Sequence, residues 1–172
     1  MKGARITTER LLLRPARFED LDAFFHVLGD PRATKFWSTP PHANPAETRE
    51  WLDAMLAIPD GEGEDFVVEF EGRLIGKAGL FRFPEIGYII HPDWWGKGLM
   101  REALEAVIAR AFEVHRLPRI EADVDPRNTR SLGLLARLGF RETGREARTW
   151  HVGSEWCDSI YLALDAPDQR TA

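Results

Sequence analysis

Cysteine is almost absent from this chain. Its 172 residues include one, Cys157, so no disulfide closes within the chain and a small stapled scaffold is excluded. A surplus of positive charge is also missing: 23 Lys and Arg stand against 28 Asp and Glu, a formal net charge of −5. With no basic run to offset that balance, a nucleic-acid partner is not expected. No apolar run is long enough to span a bilayer. The opening "MKGARITTERLLLRP" lacks the apolar segment of a secretory signal. These absences predict a cytoplasmic protein of a reducing compartment, without a membrane partner. The five histidines show no ligand spacing, so no metal is expected.

What is present is an ordinary globular balance, 44% hydrophobic and 30% charged. Hydrophobic spacing orders the elements. Residues 10–15 read as a short strand closed by Pro15. Over 18–30, Phe18, Leu21, Phe24, Phe25 and Leu28 recur at helical spacing. The proline-rich stretch 31–45 reads as loop. A helix over 44–56 follows from Asn44 as N-cap, Pro45 at the first helical position and Glu47 completing a capping box, with Trp51, Leu52 and Met55 facing the core. Then the period shortens, and 66–70, 73–83 and 85–91 read as a meander of three strands. A helix to about Val114, a strand over 119–124, a helix between Asn128 and Gly139, and two strands joined through Gly153-Ser154 complete the order. A helix connects the strand at 85–91 to the strand at 119–124. These two are therefore expected to run parallel, in a mixed α/β sheet.

At the start of that connecting helix stands "DWWGKGLMREAL". A turn needs one glycine at most. Gly96-Lys97-Gly98 leaves several backbone N–H groups uncovered at the positive end of a helix, which suits an anion and often a phosphate. Two nucleotide motifs fail here. A P-loop requires glycine where His91 stands, and a dinucleotide fingerprint requires glycine where Arg101 stands. Taken alone, the two glycines equally suit a tight strand-to-helix turn.

Four separate stretches, in order, say more. "TERLLLRPARFEDLDAFF", "EIGYIIHPDWWGKGLMREAL", "NTRSLGLLARLGFRETGR" and "WCDSIYLAL" together resemble the GNAT (Gcn5-related) N-acetyltransferases, and within them the RimJ/RimL-like branch. The resemblance covers about residues 8–164. It implies a single acetyltransferase domain over 1–172 with a polar tail at 165–172. It also implies a mixed, mostly antiparallel twisted sheet of about six to seven strands, with flanking helices and a central β-loop-α site for acyl-CoA. The expected cosubstrate is acetyl-CoA. At the phosphate turn the family pattern falls on Trp95, Gly98 and Met100, where Trp95 replaces a polar residue and Met100 a small one. The resemblance implies that the amides of Gly96, Lys97, Gly98, Leu99, Met100 and Arg101 hold the CoA diphosphate. It further implies that the backbone of Tyr88, Ile89 and Ile90 pairs with the pantetheine arm, that an N–H of Ile89 or Ile90 polarises the thioester, and that Asn128 faces the acyl-CoA arm.

Acyl transfer to an amine asks for a base to take the ammonium proton and a group to stabilise the leaving thiolate. The position at which this family most often carries an acidic tyrosine is Leu135, which donates nothing; the RimL-like alternative is Ser131. For the base, alternation along 119–125 places Glu121, Asp123 and Asp125 on one face. Asp123 and Glu85 are the candidates, with a water relay as the third possibility. Phe36, Trp37, Trp51, Trp150, His151 and Trp156 are candidates for an acceptor pocket. The acceptor is expected to be a small-molecule or peptide amine, and the chain a monomer or homodimer. A non-catalytic acyl-CoA sensor is the alternative.

Overall fold

The computed structural model describes residues 3–167. Eight strands form one sheet in the order β1-β2-β3-β4-β5-β6-β8-β7. The strands are β1 (Ile6–Thr7), β2 (Leu11–Arg14), β3 (Glu64–Phe70), β4 (Arg73–Arg82), β5 (Glu85–Ile90), β6 (Arg119–Val124), β7 (Arg141–Val152) and β8 (Glu155–Asp165). Four helices accompany them: α1 (Leu21–Leu28), α2 (Pro45–Leu56), α3 (Leu99–Glu113) and α4 (Thr129–Arg137). All pairings are antiparallel except β5 with β6, as the connecting helix requires. The sheet exceeds the expected six to seven strands because β1 has only two residues, too few to show a period. The expected tail begins at Asp165, but that residue closes β8 and bonds Arg119; residues 168–172 of the tail lie outside the described residues.

While β7 is largely exposed, the central strands of the sheet are buried on both faces. On one, α3 contributes Leu99, Met100, Ala103, Leu104, Val107 and Ala111, packed with Phe66, Val68 and Ile120 of the sheet and Leu135 of α4. On the other, Phe24, Val27 and Leu28 of α1 and Leu52 of α2 cover Val67 and Ile89. Strand β3 shows the alternation directly, with Phe66 and Val68 on one face and Val67 on the other. Phe18 departs from the expected helical face: it sits in a 3-10 turn before α1, 61% exposed, with Arg49 over its ring. Trp51 and Met55 are half-buried beside Leu52. Asn44 caps α2 as expected, but Glu47 reaches the Ala43 N–H, one residue before the cap. No helix of the described residues is long and apolar enough to cross a membrane.

Between β3 and β4 lies a buried ion pair. Lys77 Nζ is 2.8 Å from Asp65 Oδ2, and each side chain is 3% exposed. Burial pushes the Asp65 carboxyl up, against the pull of Lys77. Lys77→Met leaves that carboxylate enclosed without its cationic partner, with the Phe66 N–H still on Oδ1. It is expected to cost about 3–5 kcal/mol of stability, read from urea unfolding.

The loop 31–44 is a strap held at both ends. Thr34 Oγ1 donates to Asp30 O, the His42 N–H donates to Leu28 O, and the buried His42 ring meets Thr48 Oγ1 at 2.8 Å. Burial pushes the His42 imidazole below its usual value, only partly opposed by Glu47. His91, stacked on His26, is likewise lowered, by burial first and by His26 second. Both rings are therefore held neutral in the fold, while the unfolded chain protonates them below pH about 6.5. Their contribution is complete above that value and is lost as pH falls from it through the folded pKa. The urea midpoint should drop between pH 7.5 and pH 5.5, by less in His42→Asn.

Candidate active site

The parallel pair β5–β6 holds together at one point. Glu85 pairs with Glu121, and the Glu121 N–H donates to Pro84 O. Beyond that vertex the strands separate. Which backbone groups of β5 face the gap follows from its other edge. The His91 N–H donates to Ile75 O of the β4 side, and hydrogen-bonded pairs alternate along an antiparallel ladder. Ile89, opposite Lys77, therefore turns its backbone to β4. Tyr88 and Ile90 turn theirs toward the gap.

The glycine turn lies beyond the open end. Gly96 and Gly98 have φ of +73° and +74°, a region in which residues with a Cβ are strained. Gly98 is the N-cap of α3 and has no side chain to cap it. The first amide bonded back to that cap is Glu102, to Gly98 O. The N–H groups of Leu99, Met100 and Arg101 thus lack intrahelical partners. A Cβ built on Gly96 meets nothing within 4 Å, so the space before these amides is open.

One cavity of about 1320 Å³ joins this turn to the strand gap and continues to the strap. It is lined by Glu85, Tyr88, Ile89, Ile90, Trp95, Gly96, Gly98, Leu99, Met100, Arg101, Asp123, Asn128 and Ser131. Of the residues expected at the glycine turn, Lys97 stands off: it is exposed and does not line the cavity, and its carbonyl accepts from Arg10 Nη1. The Arg101 side chain turns along the helix to Glu105, leaving its backbone at the turn. Met100 is buried beneath the turn.

Around the gap, α4 begins at Asn128, whose Oδ1 accepts from the Ser131 N–H at 3.2 Å. Ser131 Oγ lies 2.5 Å from the Tyr88 hydroxyl. Leu135 is fully buried in the core. On the far side, Asp123 Oδ2 accepts from Trp150 Nε1 at 2.7 Å. Of the other carboxylates on the cavity, Glu85 bonds Arg82, Asp65 bonds Lys77, and Asp125 and Glu155 share Arg127, while Asp158 accepts from the Arg148 backbone N–H. The Arg127 guanidinium holds the Asp125 carboxyl below its usual range. Among the described residues, Asp123 has no Lys, Arg or His within ion-pair distance. Glu121 does not line the cavity. Phe36, Trp37, Trp51 and Trp150 also line it, whereas His151 and Trp156 meet at a tilt outside it. The Trp37 indole N–H is buried without a partner among the described residues.

Two residues at the turn, Arg130 and Arg10, escaped sequence reasoning. Trp95 donates its indole N–H to Ile90 O, and the Arg130 guanidinium lies 3.9 Å from the centre of its ring. Arg10, from the start of the chain, bonds Lys97 O and Glu102. The Trp-for-polar departure at position 95 is thus accompanied by an arginine delivered from α4. No short-range signal links positions 95 and 130.

Comparison with known proteins agrees with this geometry. The family described as the acetyltransferase (GNAT) domain matches residues 10–141. A Bacillus licheniformis protein named as the uncharacterized N-acetyltransferase p20 is 33% identical over 146 residues, covering 80% of this chain and 82% of that protein. The [ribosomal protein uS5]-alanine N-acetyltransferase of Escherichia coli is 41% identical over 105 residues, 57% of this chain and 54% of that enzyme. Mycobacterium smegmatis RimJ, solved in complex with CoA-disulfide, superposes with a TM-score of 0.81 at 26% identity, covering 94% of this chain and 85% of that one. With the split sheet, the glycine turn and these relatives in agreement, the chain belongs to the GNAT acetyltransferases, with relatives in their RimJ/RimL branch, and its activity is acetyl-CoA-dependent N-acetylation.

Proposed function

We propose that this protein, as one acetyltransferase domain, acetylates a primary amine by direct transfer with both substrates bound together. The observation that carries this reading is the single cavity joining the glycine turn, the strand gap, Ser131 and Asp123. Acetyl-CoA supplies an activated acyl group on a thiol leaving group. The amides from Gly96 to Arg101 hold its diphosphate, helped by the α3 dipole. Arg130, seated on Trp95, adds a positive charge beside them. The Tyr88 and Ile90 backbone groups bond the pantetheine arm as an added strand would. The Ile90 N–H, rather than that of Ile89, is directed to the thioester oxygen.

Asp123 takes the ammonium proton of the acceptor, directly or through one water. Trp150 orients it, and the absence of a cationic partner leaves its oxygens open to the acceptor. Ser131 donates a hydrogen bond to the departing sulfur. Positioning of the two reactants accounts for the larger share of the rate, of order 7–11 kcal/mol in favourable cases. The acid–base groups add about 10²–10⁴-fold. Phe36, Trp37, Trp51 and Trp150 enclose the acceptor, which is a peptide N-terminus or a small amine. Its protonated form suits a wall of aromatic faces and carboxylates.

The test is thiol release from acetyl-CoA across peptides with free N-termini, amino acids, polyamines and aminoglycosides, beside a calorimetric titration with CoA. Release with one class names the acceptor. Binding of CoA with no release for any amine favours a sensor.

A further inference from the structure

Sequence reasoning assigns Tyr88 a backbone role. Its side chain carries a second one. Alternation along β5 puts Ile86, Tyr88 and Ile90 on the face toward α3 and α4, and Ile89 on the other. Because β5 and β6 part after Glu85 and Glu121, the phenol extends to α4. There it meets Ser131 Oγ at 2.5 Å, from 43 positions away in sequence. The serine is fixed in turn by its own N–H on Asn128 Oδ1. Burial pushes the phenol up to about 12, although the bond to Ser131 pulls the other way. Tyr88 therefore keeps its proton throughout the neutral range. Of two hydroxyls in contact, the phenol is the stronger acid and the better donor, and the aliphatic oxygen is the better acceptor.

We propose that Tyr88 is a positioning residue for acyl transfer: its phenol donates to Ser131 Oγ, which directs the serine hydrogen to the sulfur of the leaving thiolate. This rests on the role given to Ser131 above. Without the phenol, a serine in the first turn of a helix is free to bond back to a carbonyl of the preceding turn. With it, two hydroxyls in series polarise each other toward the sulfur. The step balances without a further reactant. The amine nitrogen bonds the acyl carbon, the carbon–sulfur bond breaks, and its electron pair stays on sulfur. The amine proton passes to Asp123 or to water. Ser131 and Tyr88 both keep their protons, and the thiolate is reprotonated by solvent.

The test reads the thiol and not only turnover. Reduced CoA is bound to the protein, and the ultraviolet absorbance of its thiolate is titrated with pH. Ser131→Ala should raise the pKa of the bound thiol by about one unit, and Tyr88→Phe by about half a unit. The double variant should match Ser131→Ala alone, because Tyr88 acts through the serine. In turnover, Tyr88→Phe should lower kcat about 10-fold with KM for the amine unchanged. An unshifted thiol pKa in Tyr88→Phe, with CoA affinity intact, would show that Tyr88 is core packing only. Should that variant not fold, fluorotyrosine replaces tyrosine in a Tyr161→Phe background. The chain has two tyrosines, and Tyr161 bonds Glu146 away from the cavity. A stronger phenol donor of nearly the same size should lower the thiol pKa, and no change there overturns the proposal. Failure of the wild-type protein to bind CoA is a different result, which sinks the acetyl-CoA reading and leaves no thiol to titrate.

Discussion

Asp123→Asn should lower kcat by about 10²–10³-fold while CoA affinity and thermal midpoint stay close to wild type. The substitution is nearly isosteric. An asparagine Oδ1 still accepts from Trp150 Nε1, which bonds Asp123 at 2.7 Å, so the wall of the cavity keeps its shape. What is lost is the capacity to take a proton. Glu85→Gln is the comparison. Glu85 sits at the vertex, where β5 and β6 still pair, and its carboxylate is held by Arg82. Asp123 lies two residues further along β6, where the strands have separated. Its effect should exceed that of Glu85→Gln by at least about tenfold. Equal, small effects in both variants would transfer the proton step to a water relay. A large loss in Glu85→Gln alone would reverse the assignment. Steady-state kinetics with a saturating amine, beside calorimetry for CoA, separates these outcomes.

Gly98→Asp should weaken CoA binding by about two to three orders of magnitude. Gly98 has φ of +74°, and Asp and Asn are the residues that tolerate this region best. Its ideal Cβ meets only Arg10 Nη2, at 3.6 Å, so the fold accommodates the side chain. The carboxylate would lie where the turn offers its free amides. At about 4 Å from a phosphate, with an effective dielectric near 20, the repulsion is about 4 kcal/mol. Gly98→Asn makes the same backbone demand without the charge and should change affinity only a few-fold. Thermal midpoints of the two variants should agree within a few degrees, since both face the same αL cost of about 1–2 kcal/mol. Wild-type affinity in Gly98→Asp would remove the diphosphate from this turn.

The order of elements and the glycine turn were legible because the signals are local. Asn44 and Asn128 announce helix starts through bonds spanning three residues. Phe66, Val67 and Val68 mark a strand buried on both faces. Gly96 and Gly98 stand next to the amides they uncover. Short-range periodicity and capping act within one or two turns, so the chain displays them in one dimension. The parallel pairing of β5 and β6 was also readable, because a helix joins them. Even here local rules reached only so far: Glu47 satisfies Ala43 instead of the predicted Asn44 backbone, and Phe18 leaves the core for solvent.

By itself, then, the sequence determined the family, the glycine turn and a short list of polar groups. Tertiary structure decided which of those groups face one another. Ile90 rather than Ile89 turns its backbone to the gap because the β4 ladder occupies alternate residues. Asp123 stands apart from Asp125 and Glu85 because arginines two and three residues away hold those two, whereas its own partner, Trp150, arrives from β7. Tyr88 meets Ser131 because β5 and β6 diverge by a distance that no local pattern encodes. Arg130 comes to rest on Trp95 through packing of segments distant in sequence, and Lys77 on Asp65 through the pairing of β3 with β4. Such contacts depend on the three-dimensional closure of the sheet and its helices. A pattern of spacings along the chain carries the identity of each partner but not the distance between them.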